Sequence, residues 1–152
     1  FCQGNSVVLH GNTNGVWKIF YNIVLMKIFN ITFCILFIIS AALQYNDPDP
    51  WLWMPLYLYG AALCWLAFRS KYYPLAYLAG IAVYSIYALY KLLENDGAWD
   101  WLTKHDAANI AATMKAETPW IEDTREFFGL AILIAVLLID YIYVKRKVKS
   151  RT

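Results

Sequence analysis

The chain has 152 residues, of which 61% are hydrophobic and only 16% charged, with a formal net charge of +2. Soluble domains carry about 45–50% apolar and about 25% charged residues, so an ordinary water-soluble globule is excluded. The net charge is close to neutral, no nucleic-acid partner is expected, and 12 Tyr with 7 Trp suit a chain that meets a membrane–water boundary.

Residues 1–15 are polar and rich in Asn and Gly, and residues 1–25 read as a disordered or non-native leader. Translation is expected to start at Met26, directly before Lys27 and the first apolar run. A cleaved signal peptide ending near Ser40-Ala41-Ala42 is the rival, and three further apolar runs weigh against it. The first run, 28–45, holds no charge, nor do the second, 51–68, and the third, 72–90. The fourth, 127–144, holds only Asp140, one turn from its end. A spanning helix needs about 17–25 residues, and only a helix satisfies its own backbone in lipid. The fold expected is all-α, a four-helix transmembrane bundle with a short interfacial helix in the outer loop.

The charges orient this bundle. With the N-terminus in the cytoplasm, the inner side receives Lys18, Lys27, Arg69, Lys71, Lys145, Arg146, Lys147, Lys149 and Arg151, the last five in a basic tail over 145–152. The outer side receives Lys91, Lys104, Lys115 and Arg125. The basic excess predicts that both termini are cytoplasmic, and the membrane expected is a plasma or inner membrane. Every acid except Asp140 then lies outside, ten against four bases, for a net charge near −6.

Two polar clusters share that outer boundary. In Gln44-Tyr-Asn-Asp-Pro-Asp-Pro50, Asp49 has the position of an N-cap and Pro50 that of a first helical residue. Pro55 should kink or break the helix that follows, leaving Trp51 and Trp53 as interfacial anchors. In Ile121-Glu-Asp-Thr-Arg-Glu-Phe-Phe-Gly-Leu130, Asp123 and Glu126 stand at capping-box spacing. Arg125 is expected to pair with Asp47, Asp49 or a neighbouring glutamate. Between the clusters, Asn95-Asp96-Gly97 ends span three, and Asp106 to Glu117 is expected as the short interfacial helix. His105 in that loop reads as an ordinary surface residue. In span three, Tyr73, Tyr77, Gly80, Tyr84 and Tyr87 recur at 4, 3, 4 and 3 residues, and this seam should face the bundle interior, with Ala76 and Gly80 allowing close packing. Cys34 and Cys64 read as small buried residues.

Gln44, Asn46, Asp47, Pro48 and Asp49 after a first span, Trp53 and Tyr57 in the next, and Arg125, Glu126, Gly129 and Leu130 opening the last resemble the transmembrane protein 220 family. The resemblance runs over about Met26 to Val144, with residues 95–120 outside the motifs. It implies the multi-span architecture and implies no particular chemistry. No ionisable residue stands in the middle of an expected span, and no Ser–His or Cys–His pair, HExxH or P-loop occurs. The leading expectation is therefore a non-catalytic membrane protein with no cofactor, no resident metal and no catalytic residue. Its outer acidic rim would bind a partner, a headgroup or a cation through Asn46, Asp47, Asp49, Trp53, Tyr57, Glu122, Arg125 and Glu126. Membrane lipids are the expected partners, with another membrane protein or a second copy after them, and no nucleic acid. The alternative is a membrane-embedded enzyme using Asp47, Asp49, Glu122 and Glu126 on a lipid-like substrate, with a divalent metal such as Mg²⁺, Ca²⁺ or Mn²⁺.

Overall fold

The computed structural model describes residues 13–46, 49–94, 98–104 and 119–149. Helix α1 spans Thr13–Leu43 and passes into a single 3₁₀ turn, Gln44–Asn46. Helix α2 spans Pro50–Phe68, α3 Pro74–Leu93, α4 Ala98–Lys104 and α5 Pro119–Lys149. Among the described residues there is no strand. Among the described residues, four segments are long and apolar enough to cross a membrane: Tyr21–Leu43, Pro50–Phe68, Pro74–Leu93 and Ile121–Lys147. At about 1.5 Å per residue, even the shortest spans close to the hydrocarbon thickness of about 30 Å.

Proline sets three of the four starts. Pro50, Pro74 and Pro119 each open their helix, where a missing N–H costs nothing and the fixed φ fits. The consequence is largest for α5. It starts eight residues before the expected span, so Asp123 and Glu126 lie within the helix and form no capping box. At the other end α5 continues to Lys149, through part of the expected tail. Helix α1 also starts early, at Thr13, inside the segment expected to lack order. No proline interrupts the chain from Thr13 to Leu43, and adding a turn to a formed helix costs far less than starting one. The expected helix over 106–117 and His105 lie outside the described residues, while α4 falls earlier, on Trp99 and Trp101.

Helix α2 runs through Pro55 without a break. Pro55 sits in the second turn, where it removes only one backbone bond. Asp49 occupies the N-cap position, and its carbonyl accepts from Leu52 and Trp53 N–H at 3.1 and 3.3 Å, but its side chain makes no capping bond. The far end of α2 closes as a Schellman motif. Ser70 N–H donates to Ala67 O and Lys71 N–H to Leu66 O, both at 2.8 Å. Ser70 has φ of 59°, a left-handed conformation that glycine adopts more readily.

Within the bundle, α1 packs chiefly on α2 and α3 on α5, and α2 meets α5. Small residues allow the close approaches. A Cβ on Gly60 would lie 2.5 Å from Leu133 Cδ2, one on Gly80 2.9 Å from Leu137 Cδ1, and one on Gly129 would collide with Tyr57 Oη. The α5 side of the core repeats at alternating steps of four and three: Leu130, Leu133, Leu137, Asp140 and Val144 are all buried. This is the seam expected of left-handed helix packing.

The tyrosine seam of α3 does face inward. Tyr77 and Tyr84 are buried, and their hydroxyls donate to Leu63 O at 3.4 Å and Leu56 O at 2.7 Å. From α2, Tyr59 donates to Ala76 O at 2.9 Å. These long side chains tie α3 to α2, each hydroxyl finding an acceptor where lipid offers none. Tyr73 departs from the seam and is exposed, because it stands at the N-cap, before helical periodicity begins. Leu43, Leu75, Ile86 and Leu93 stand exposed on the outside of the helices, where lipid is the apolar environment available to them.

Candidate functional site

The acidic boundary is organised around a lysine. Lys91 lies in the last turn of α3, where a cation also suits the helix dipole. Its ammonium sits 2.8 Å from Asp123 Oδ1, 2.7 Å from Glu126 Oε2 and 3.3 Å from Glu94 Oε2. Asp123 and Glu126, three residues apart on α5, share the face turned to α3. Glu94 follows Lys91 by three residues at the C-cap. An ammonium has three N–H donors, and here three carboxylates surround it. The Asp123 contact has hydrogen-bond geometry, while the two glutamate oxygens stand at ion-pair distance. Side-chain exposure is 13% for Lys91, 14% for Asp123 and 17% for Glu126, so water screens the group only partly. One ammonium against three carboxylates leaves a formal charge of −2.

A run of rings connects this cluster to the start of α2. Trp53 meets Tyr87 at 5.5 Å between centroids, Tyr87 stacks on Tyr90 at 6.0 Å, and Tyr90 Oη donates to Glu94 Oε1 at 3.0 Å. Tyr57, one turn beyond Trp53, meets α5 at Gly129. On the other side of α5, Trp101 of α4 packs edge-on against Phe128 at 5.6 Å.

The expected site residues divide accordingly. Glu126 belongs to the cluster. Tyr57 is buried against Gly129 of α5, and Trp53, at 2% exposure, is a core residue packed on Tyr87 of α3. Its position on the inner face of α2 outweighs its nearness to the boundary, while Trp51 on the outer face is exposed there. Asp49 is exposed, and Glu122 and Arg125 are half-buried in the first turns of α5. Asn46 ends the 3₁₀ turn, and Asp47 lies outside the described residues. The expected pairing of Arg125 with Asp47 is therefore beyond what the described residues cover. Among the described residues, no group of three or more His, Cys, Asp or Glu side chains is placed to hold a metal ion. In the cluster itself, the ammonium occupies the centre that a metal would need.

Lys91 and Glu94 escape motif reasoning, although a signal exists. Span three ends where span four begins, so a base in the last turn of one faces acids in the first turns of the other.

A second polar contact was also hidden. Asn30 of α1 and Asp140 of α5 are buried at 2% and 0% exposure. Asn30 Nδ2 donates to Asp140 Oδ1 and to Met26 O, each at 2.9 Å. Because α5 continues to Lys149, Asp140 is a bundle-interior carboxylate, about 14 Å along the axis from the helix end. Asp140, expected one turn from the end of its span, therefore stands more than two turns from the end of α5. Asn30 Oδ1 and Asp140 Oδ2 have no hydrogen-bond partner among the described residues.

Four apolar helices, joined by tyrosine hydroxyls, close glycine contacts and polar groups at both ends, define an integral membrane protein of the helical-bundle class. Residues 36–142, more than two thirds of the chain, match the family described as "Transmembrane family 220, helix", and the chain belongs to that family. No curated protein and no solved structure matches it.

Proposed function

We propose that this protein acts without catalysis, as a small membrane-embedded binding protein whose acidic rim engages a cationic group on the non-cytoplasmic side. The carboxylate excess around Lys91 carries the proposal. Three acids share one ammonium, and the exposed Asp49 adds to the same end of the bundle. Charge of one sign at a partly dry boundary raises the local concentration of the opposite sign. The basic excess at the opposite end supports an orientation with both termini cytoplasmic.

The enzymatic alternative gains nothing from the described geometry. Glu126 is held by Lys91, and Trp53 and Tyr57 serve packing. To test the binding reading, the protein in phosphatidylcholine nanodiscs is titrated with a lysine-rich peptide at low and raised salt. Binding should weaken with salt and in Asp49→Asn. Binding that is absent, or indifferent to both changes, contradicts the proposal.

A further inference from the structure

A groove at the opposite end of the bundle has the chemistry of a lipid site. It lies between α1 and α5 and is an open groove of about 370 Å³. One turn deeper, the Asn30–Asp140 hydrogen bond joins the two helices. On the terminal side of that bond the groove is lined by Asn22, Arg146 and Lys147, with Tyr143 beside them. Ile23, Leu25 and Met26 complete the lining. No carboxylate is among these residues, and Asp140 turns its Oδ1 to Asn30.

The arrangement is graded along the bundle axis. Asn22, Arg146 and Lys147 stand at the ends of the two apolar spans, while Leu25 and Met26 lie about one turn inward. Lys147 Nζ is 5.6 Å from the Tyr72 ring centroid and 5.9 Å from that of Tyr143, so two aromatic faces hold its ammonium in place. A soluble anion would use only the cationic end. An amphiphile with a phosphate head and an acyl tail uses both.

We propose that this groove binds one anionic phospholipid. Its phosphate sits against Arg146 and Lys147, and one acyl chain runs inward past Met26. Basic pockets between spanning helices bind such headgroups by charge and geometry together, and Arg matches phosphate with a fork of donors. The site is independent of the acidic rim.

The test uses the full chain in phosphatidylcholine nanodiscs with trace spin-labelled phosphatidylglycerol or phosphatidylcholine, read by electron paramagnetic resonance. Wild type should immobilise the phosphatidylglycerol label preferentially. Arg146→Gln with Lys147→Gln should reduce that preference by about fivefold per charge removed. Arg69→Gln with Lys71→Gln removes equal charge outside the groove and should leave most of the preference. Met26→Trp keeps the charges, fills the apolar half and should also abolish the preference, which covers a folding failure of the charge variant. Inorganic phosphate should not displace the label. Equal immobilisation of both lipids, equal loss in the Arg69/Lys71 control, or displacement by inorganic phosphate would each overturn the assignment.

Discussion

Helix α5 carries acids at two depths, and they are stabilised differently. Near its start, Asp123 and Glu126 face a full positive charge at under 3 Å. Fourteen residues after Glu126 on the same inward stripe, Asp140 meets a neutral amide. The first arrangement joins α3 to α5, the second α1 to α5. The rim group holds more like charge than its lysine neutralises, so it depends on that lysine. The deep pair depends on one hydrogen bond, donated by the Asn30 amide to the Asp140 carboxyl. Buried position alone therefore does not set the cost of losing a polar group; the charge left behind does.

The comparison breaks or sharpens by mutation. Lys91→Ala should have the largest effect, because it leaves three carboxylates facing one another. Removing one member of a buried charge group costs about 3–5 kcal/mol, and partial exposure puts Lys91 near the lower figure. Thermal unfolding in nanodiscs checks this; a cost under 1 kcal/mol would place the cluster in the class of hydrated surface pairs. Gly129→Ala should follow, at about 1–3 kcal/mol, because its Cβ meets Tyr57 Oη. Tyr57→Phe should relieve much of that loss by removing the hydroxyl, and failure of this rescue would show that the contact is not the cause. Asn30→Ala should cost about 1 kcal/mol, in the range measured for hydrogen bonds between membrane helices, and Asp140→Asn less, since an amide can replace the carboxyl as acceptor. An Asp140→Asn loss as large as that of Lys91→Ala would erase the distinction between the two depths. Smallest, Ser70→Gly should leave stability equal or raise it by up to about 1 kcal/mol, since φ of 59° suits glycine. A measured loss would mean that the Ser70 side chain contributes more than its backbone costs.

Much of the architecture is legible in the sequence because bilayer thickness imposes a length on each apolar run. The four spans and the inward tyrosines of α3 follow from that length and from helical period, and the N-cap position of Asp49 from the proline after it. Helix ends are less legible, since local signals compete. The Asp123–Glu126 spacing suggests a start, yet α5 begins at Pro119, whose fixed φ and missing N–H suit a first helical residue. Trp53 shows the limit of reasoning from depth alone: its place near the boundary suggests an anchor, while its helix face puts it in the core. Lys91 and Asn30 are hardest to find, because each acquires its role from a residue at least 32 positions away. A lone Lys at a span end reads as topology, and a lone Asn in an apolar run reads as nothing until Asp140 is seen opposite.

The central claim is that the acidic rim is held by Lys91 bridging α3 to α5. A double-mutant cycle between Lys91→Met and Glu126→Gln, with stability measured in phosphatidylcholine nanodiscs, tests it most directly. The account predicts that the double variant loses less than the two single losses added together, with a coupling above about 1 kcal/mol. Additive losses would contradict it.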